Sequence, residues 1–228
     1  MFFFITGYRF NFNEKKVTTI GSIYAETEPD NASIYLNDKL YKKETPVLIN
    51  NLYPKKYNIR LEMEDRYPWQ KTLDVEPQKS IVIGEVVLFK NNTVPEEIEK
   101  YPTQKLSTSG IPADFKEEFK DYKFPYYQTD NRILFYNNHE IWFYNLEDDT
   151  KNLVIREGGE IKNAIWHPSG AYIIYTESNK LNIIETDSRD YRNVYTLLEA
   201  DIDDITTDSD GKNIYYKSGD KNFKLNIL

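Results

Sequence analysis

The sequence contains no cysteine. That absence excludes disulfides, thiolate metal sites and a cysteine nucleophile together. It leaves the compartment open, because an envelope protein can do without disulfides. Histidine is nearly missing as well: only His139 and His167 occur, and neither sits in a His-x-x-x-His or comparable ligand spacing. Both read as turn or strand-edge residues, since a zinc or catalytic role needs convergent partners that the sequence does not display. The nine glycines form no phosphate-binding loop, no dinucleotide fingerprint and no Gly-x-Ser-x-Gly elbow. The sequence therefore assigns no catalytic, cofactor-binding or metal-binding residue and implies no cofactor. The protein is expected not to be an enzyme.

A membrane-spanning apolar run is also missing. The N-terminus, from Met1 to Tyr8, is apolar and turns polar at Arg9 and Lys15-Lys16. Eight helical residues rise only about 12 Å, against the ~20 residues a bilayer requires. Residues 1–19 read either as a strand or as the remnant of a membrane anchor that begins upstream.

What the chain does have is aromatic bulk. Aromatics make up 15% of the residues, mostly the 19 Tyr and 12 Phe, and this bias toward strand formers predicts an all-β protein. Residues 1–110 carry 15 Lys+Arg against 15 Asp+Glu, while residues 111–228 carry 14 against 22, so the whole net charge of −8 lies in the second half. Two regions of different character are implied. An acidic surface with no basic stripe repels phosphate backbones, so nucleic acid is not an expected partner.

Residues 20–90 read as a small Ig-like β-sandwich of short strands separated by turns. Ile23, Ala25 and Thr27 alternate with polar partners, and Glu28-Pro29-Asp30-Asn31 then reverses the chain. Asn31 tolerates positive φ and can stand for a glycine there. Ile34 and Leu36 point one way until Asn37-Asp38. Tyr57, Ile59, Leu61 and Met63 form the cleanest period-2 run. Trp69, Leu73 and Val75 follow on another strand, and Ile81 to Phe89 closes the module.

These residues also resemble a family. The order Pro29-Asp30-Asn31-Ala32, Thr45-Pro46, Leu52 through Tyr57, Tyr67-Pro68-Trp69 and Val86-Val87-Leu88-Phe89 is similar to the PEGA domain. Asp30 and Asn31 replace the Glu and Gly of the family's naming turn. Lys55 or Lys56 and Arg66 stand where glycines are usual, so those turns are expected to be of another type. The resemblance implies a surface or envelope protein, often held behind a membrane anchor.

Residues 91–130 hold Pro95, Pro102, Pro112 and Pro125 with Ser107-Thr108-Ser109-Gly110, which reads as a linker. A short helix is expected over 113–122, with Phe115 and Phe119 at i, i+4 on one face. From residue 131 to 228 the chain repeats. Ile161 to Tyr175, with Trp166-His167-Pro168-Ser169-Gly170, matches Ile202 to Tyr216, with Asp208-Ser209-Asp210-Gly211. A partial copy lies upstream at Ile133 to Tyr136 and Ile141 to Tyr144. A period of about 40 residues indicates propeller blades. The units resemble TolB-like and tryptophan-aspartate-type repeats. About two to three blades fit, too few to close a ring of four to eight. The last strand, ending at Leu228, is expected to be an open edge capable of self-association.

Two clusters are candidate sites. The acidic run from Glu199 to Gly211 fails the calcium-loop template, because the first ligand position falls on Thr206 and the twelfth on Lys217 instead of Glu. Tyr122, Phe124, Tyr126 and Tyr127 around Pro125 could stack on sugars or anchor peptides, but packing onto the first blade is favoured. The sequence thus predicts an all-β chain, a PEGA-like sandwich followed by an incomplete propeller. Its expected role is non-enzymatic binding or scaffolding in the bacterial cell envelope, membrane-anchored on the extracytoplasmic face, with a protein or envelope polysaccharide as partner. Two alternatives remain: the accessory propeller of a hydrolase or peptidase, and an intracellular interaction module.

Overall fold

The computed structural model describes residues 8–11, 16–102, 111–125 and 131–228. The chain divides into two compact units, one of Met1–Asn91 with Ser188–Asn193, the other of Asn92–Asp187 with Val194–Leu228. Both are built from strands, as the aromatic and β-branched composition predicts.

The first unit opens on an antiparallel pair, β1 (Tyr8–Asn11) and β2 (Lys16–Thr19). The preceding residues 1–7, where the anchor remnant was expected to begin, lie outside the described residues. Seven further strands follow: β3 (Gly21–Glu28), β4 (Ser33–Leu36), β5 (Lys39–Glu44), β6 (Val47–Leu52), β7 (Lys55–Glu62), β8 (Trp69–Val75) and β9 (Ser80–Val87). They form two sheets, ordered β6-β3-β9 and β5-β4-β7-β8. The pair β3–β9 is parallel and the others are antiparallel. The period-2 rows face inward: Ile23 and Ala25 of β3, Tyr57, Ile59 and Leu61 of β7, and Trp69, Leu73 and Val75 of β8 are all buried in one core. Full burial of such a side chain contributes roughly 1.5–3 kcal/mol. The part-exposed ion pair Arg60–Glu62 on the outer face of β7 is worth under about 1 kcal/mol. Packing therefore holds the sandwich together.

The turns explain how this chain does without the family's glycines. Asn31 takes φ 70°, and its N–H donates to Thr45 O at 2.8 Å. The β4–β5 hairpin turns on Asn37 and Asp38, both at positive φ, the pattern of a two-residue type I′ turn. Lys55 and Lys56 lie inside β7, and the positive φ falls instead on Asn51 and Asp65, residue types that tolerate it. Arg66 is put to other use: its guanidinium donates to Leu88 O at 2.5 Å.

The second unit begins with β10 (Glu96–Ile98) and the helix α1 (Ala113–Glu118). Ten strands follow: β11 (Arg132–Tyr136), β12 (Glu140–Asn145), β13 (Thr150–Arg156), β14 (Ile161–Trp166), β15 (Tyr172–Glu177), β16 (Lys180–Glu185), β17 (Val194–Glu199), β18 (Asp204–Thr207), β19 (Asn213–Ser218) and β20 (Lys221–Asn226). They make three sheets, β11-β12-β13, β14-β15-β16-β17 and β10-β20-β19-β18. A bridge between Lys123 and Tyr136 supplies the stub of a fourth strand beside β11. Each sheet thus follows a four-strand blade plan. Gly170 (φ 72°) and Gly211 (φ 70°) occupy the same turn in successive blades, which is why that position repeats.

Two expectations are corrected here. The segment read as a linker contributes a strand: β10 pairs with β20 through Glu96↔Lys224, Glu97↔Phe223 and Ile98↔Asn222. The last strand is therefore flanked on both sides, by β19 and β10, and is not an open edge. Its unpaired N–H and C=O groups are satisfied by residues far upstream, a pairing that local patterning cannot reveal. The helix stops at Glu118, shorter than expected, where Phe119 leaves helical geometry while its N–H still bonds Phe115 O at 3.1 Å.

Candidate binding surfaces of the two units

The most unusual residue of the first unit is Lys71. It sits in β8 between Trp69 and Leu73, on the face whose other members are apolar, and it is 0% exposed. A buried amino group is costly unless it is hydrogen-bonded. Lys71 Nζ donates to Arg189 O at 2.8 Å and to Tyr191 O. It also lies 5.9 Å from the ring centroids of Trp69 and Tyr191.

The Ser188–Asn193 segment that supplies these carbonyls runs along the seam where the edges of the two sheets meet. Among the described strands, β8 and β9 each end a sheet, so each presents unpaired backbone groups there. Asp190 Oδ2 accepts the Thr72 N–H at 2.7 Å, and Asn193 Nδ2 donates to Gln70 O at 3.3 Å, both on β8. Arg189 Nη1 donates to Val82 O on β9 at 3.0 Å. Side chains of the segment thus do for both edges what a further strand would do. Sequence reading missed Lys71. The available signal was its phase, since it falls in the period-2 row Trp69-x-Lys71-x-Leu73-x-Val75.

A second surface lies on the outer face of β6-β3-β9. Leu48, Tyr24 and Val82 are in register across the three strands. Leu48 is 50% and Val82 56% exposed. With Tyr24 between them, these side chains make an apolar row on the solvent face of the sheet.

In the second unit the clusters weighed from sequence serve the fold. Phe115, Phe119, Tyr122 and Phe124 all ring Phe135 of β11, with centroids 4.7 to 6.2 Å away. Tyr122 and Phe124 therefore pack onto the first blade. Tyr126 and Tyr127 lie outside the described residues. His167 is 1% exposed. Its Nδ1 accepts the Ser169 N–H at 3.2 Å, so Nε2 carries the proton and donates to Gly211 O of the next blade at 3.0 Å. Burial lowers its pKa below the ordinary value, against smaller opposing effects of the Gly211 carbonyl and Asp208. The fit at Gly211 is close: a Cβ there would lie 2.4 Å from His167 Nε2. Arg132 makes the corresponding link one blade earlier, stacking 4.8 Å from the Trp166 ring and donating to Gly170 O at 2.7 Å. His139 N–H bonds Asn137 Oδ1 in the β11–β12 turn.

The acidic run does not converge. Asp201 pairs with Lys162 at 2.9 Å, Asp203 accepts the Gly219 N–H, Asp208 accepts the Asn213 N–H, and Asp210 pairs with Lys212 at 3.1 Å. Among the described residues no group of three or more His, Cys, Asp or Glu could hold a metal ion. None of their helices is long and apolar enough to cross a membrane.

The fold defines an all-β protein, a sandwich joined to propeller-type blades. Residues 20–85 match the PEGA domain family, which spans the sandwich from the start of β3 into β9. No curated protein matches the chain. Among solved structures, the C-terminal WD40 domain of Sif2 is 14% identical over 44% of this chain and 32% of that one, with a TM-score of 0.35. A chain of the mitotic checkpoint complex is 12% identical, over 76% and 47%, at 0.37. The extracellular domain of a hybrid two component system from B. thetaiotaomicron is 11% identical, over 96% and 31%, at 0.39. The chain spans less than half the length of each of these structures.

Proposed function

We propose that the protein is a non-enzymatic binding or scaffolding protein of the bacterial cell envelope, working on the extracytoplasmic face. The observation that carries this reading is the PEGA match over residues 20–85, because the resemblance implies surface and envelope proteins. The outer row Leu48–Tyr24–Val82 is the contact face for a protein or polysaccharide of the envelope.

The purified chain should co-sediment with isolated cell walls or membranes, and the double variant Leu48→Ser/Val82→Ser should lose most of that binding while keeping a cooperative melt. Equal binding by variant and parent would remove the outer row from the reading. In intact cells the chain should be digested by added protease, and full protection would place it inside. Turnover of a glycoside, ester or peptide substrate that a single Asp or Glu substitution abolishes would overturn the non-enzymatic assignment.

A further inference from the structure

The seam along β8 and β9 is covered by a bent segment of the same chain, Ser188–Asn193, in which Asp190 takes φ 63°. A packed core needs no lysine on its apolar row, yet Lys71 is there, fully buried, with its amino group on two main-chain carbonyls of one short segment. Carbonyl recognition by a positioned donor reads the path of a backbone whatever its side chains. The side chains of the segment add selectivity. Arg189 reaches the Val82 carbonyl on one sheet edge and Asp190 the Thr72 amide on the other, so adjacent residues of opposite charge must straddle the seam in that order. The segment itself is not an apolar plug. Ser188, Arg189, Asp190 and Tyr191 are exposed although Arg189, Asp190 and Tyr191 make hydrogen bonds to the strands below. The segment is thus held by polar contacts to backbone and to one buried lysine, while Asn193 at its end is 7% exposed.

We propose that the β8–β9 seam of the PEGA sandwich is a peptide-recognition groove for a bent segment of the form Arg-Asp-x-x-Asn, its aspartate at positive φ, which this chain fills with its own residues 188–193. Lys71 is the backbone reader, Thr72 N–H the reader of the aspartate, Val82 O the reader of the arginine and Gln70 O that of the terminal asparagine. The groove adds a ligand class to the binding role proposed above. Its test makes no use of the envelope, so its failure leaves that reading standing.

A covalently attached occupant acts at an effective concentration on the order of millimolar, so a free peptide competes poorly with it. The full chain carrying Arg189→Ala and Asp190→Ala keeps the carbonyls but loses both side-chain arms, which weakens the internal occupant. A fluorescent synthetic peptide of residues 186–195 is titrated into this variant and into the parent, with anisotropy as the readout. The peptide should bind the variant at least about tenfold more tightly than the parent. Peptides with alanine for either Arg189 or Asp190 should lose about tenfold or more, a comparison that leaves the protein untouched. Adding Lys71→Met to the variant should abolish binding while a cooperative melt persists. Binding that is equal for parent and variant, indifferent to the peptide's Arg and Asp, or absent from a folded variant would overturn the proposal. So would undiminished binding after Lys71→Met.

Discussion

At the scale of single residues, the two histidines show how far composition can go. Their isolation in the sequence is enough to set aside a ligand pair, but only the structure shows that His167 is a neutral, buried linker between successive blade turns. Its folded pKa lies below the ordinary value because burial disfavours the imidazolium. In the unfolded chain it takes up a proton near pH 6.5. Between that pH and the lower folded pKa the unfolded state binds more protons, so stability is full above about pH 6.5 and falls as the pH drops through the window. The slope is at most about 1.4 kcal/mol per pH unit for one group. His167→Asn should remove this component of the acid sensitivity. It should also cost about 1–3 kcal/mol at pH 7.5, since the buried Gly211 carbonyl loses its donor. Denaturant melts of both proteins from pH 7.5 to 5 test this, and parallel pH profiles would show that other groups carry the acid response.

At the scale of elements, β10 is decisive. Three residues from a proline-bounded stretch complete the last blade by covering β20. The ion pair Glu97–Lys221, at 2.8 Å with both side chains more than half exposed, adds under about 1 kcal/mol, so the backbone ladder is the larger part of this closure. In an antiparallel pair, alternate residues direct their N–H toward the partner. Replacing both Glu97 and Ile98 by proline therefore removes a ladder hydrogen bond whichever phase applies. The variant should lose amide protection over residues 222–226. It should also gain mass with concentration in light scattering, because Phe223, Leu225 and Ile227 then flank an exposed edge. A constant monomer mass with unchanged protection would mean that β20 needs no cover.

At the scale of the whole molecule, the first unit is not one stretch of chain, for its seam is finished by residues 188–193. Lys71 makes this measurable. In the full chain Lys71→Met removes hydrogen bonds from two carbonyls and should cost about 1–3 kcal/mol. In a fragment of residues 16–91 those carbonyls are absent, and methionine suits the apolar row at least as well as lysine. There the substitution should leave stability unchanged or raise it. Thermal melts of the four proteins decide the matter. Equal losses in fragment and full chain would show that Lys71 acts only through packing of its stem.

The sequence by itself determined the strand content, the inward rows of β3, β7 and β8, the turns on Asn31 and Asn37-Asp38, and the blade period marked by Gly170 and Gly211. All of these are local: side-chain alternation and φ preferences act within a few residues and so are written directly in the order of residues. Tertiary structure alone decided that Arg66 would reach Leu88, that β10 would close on β20, and that Lys71 would be buried beneath residues 188–193. Each of those is a hydrogen bond sought by an edge or a buried polar group from whatever part of the chain lies near it in space. The partner is set by satisfaction of that group rather than by distance along the sequence.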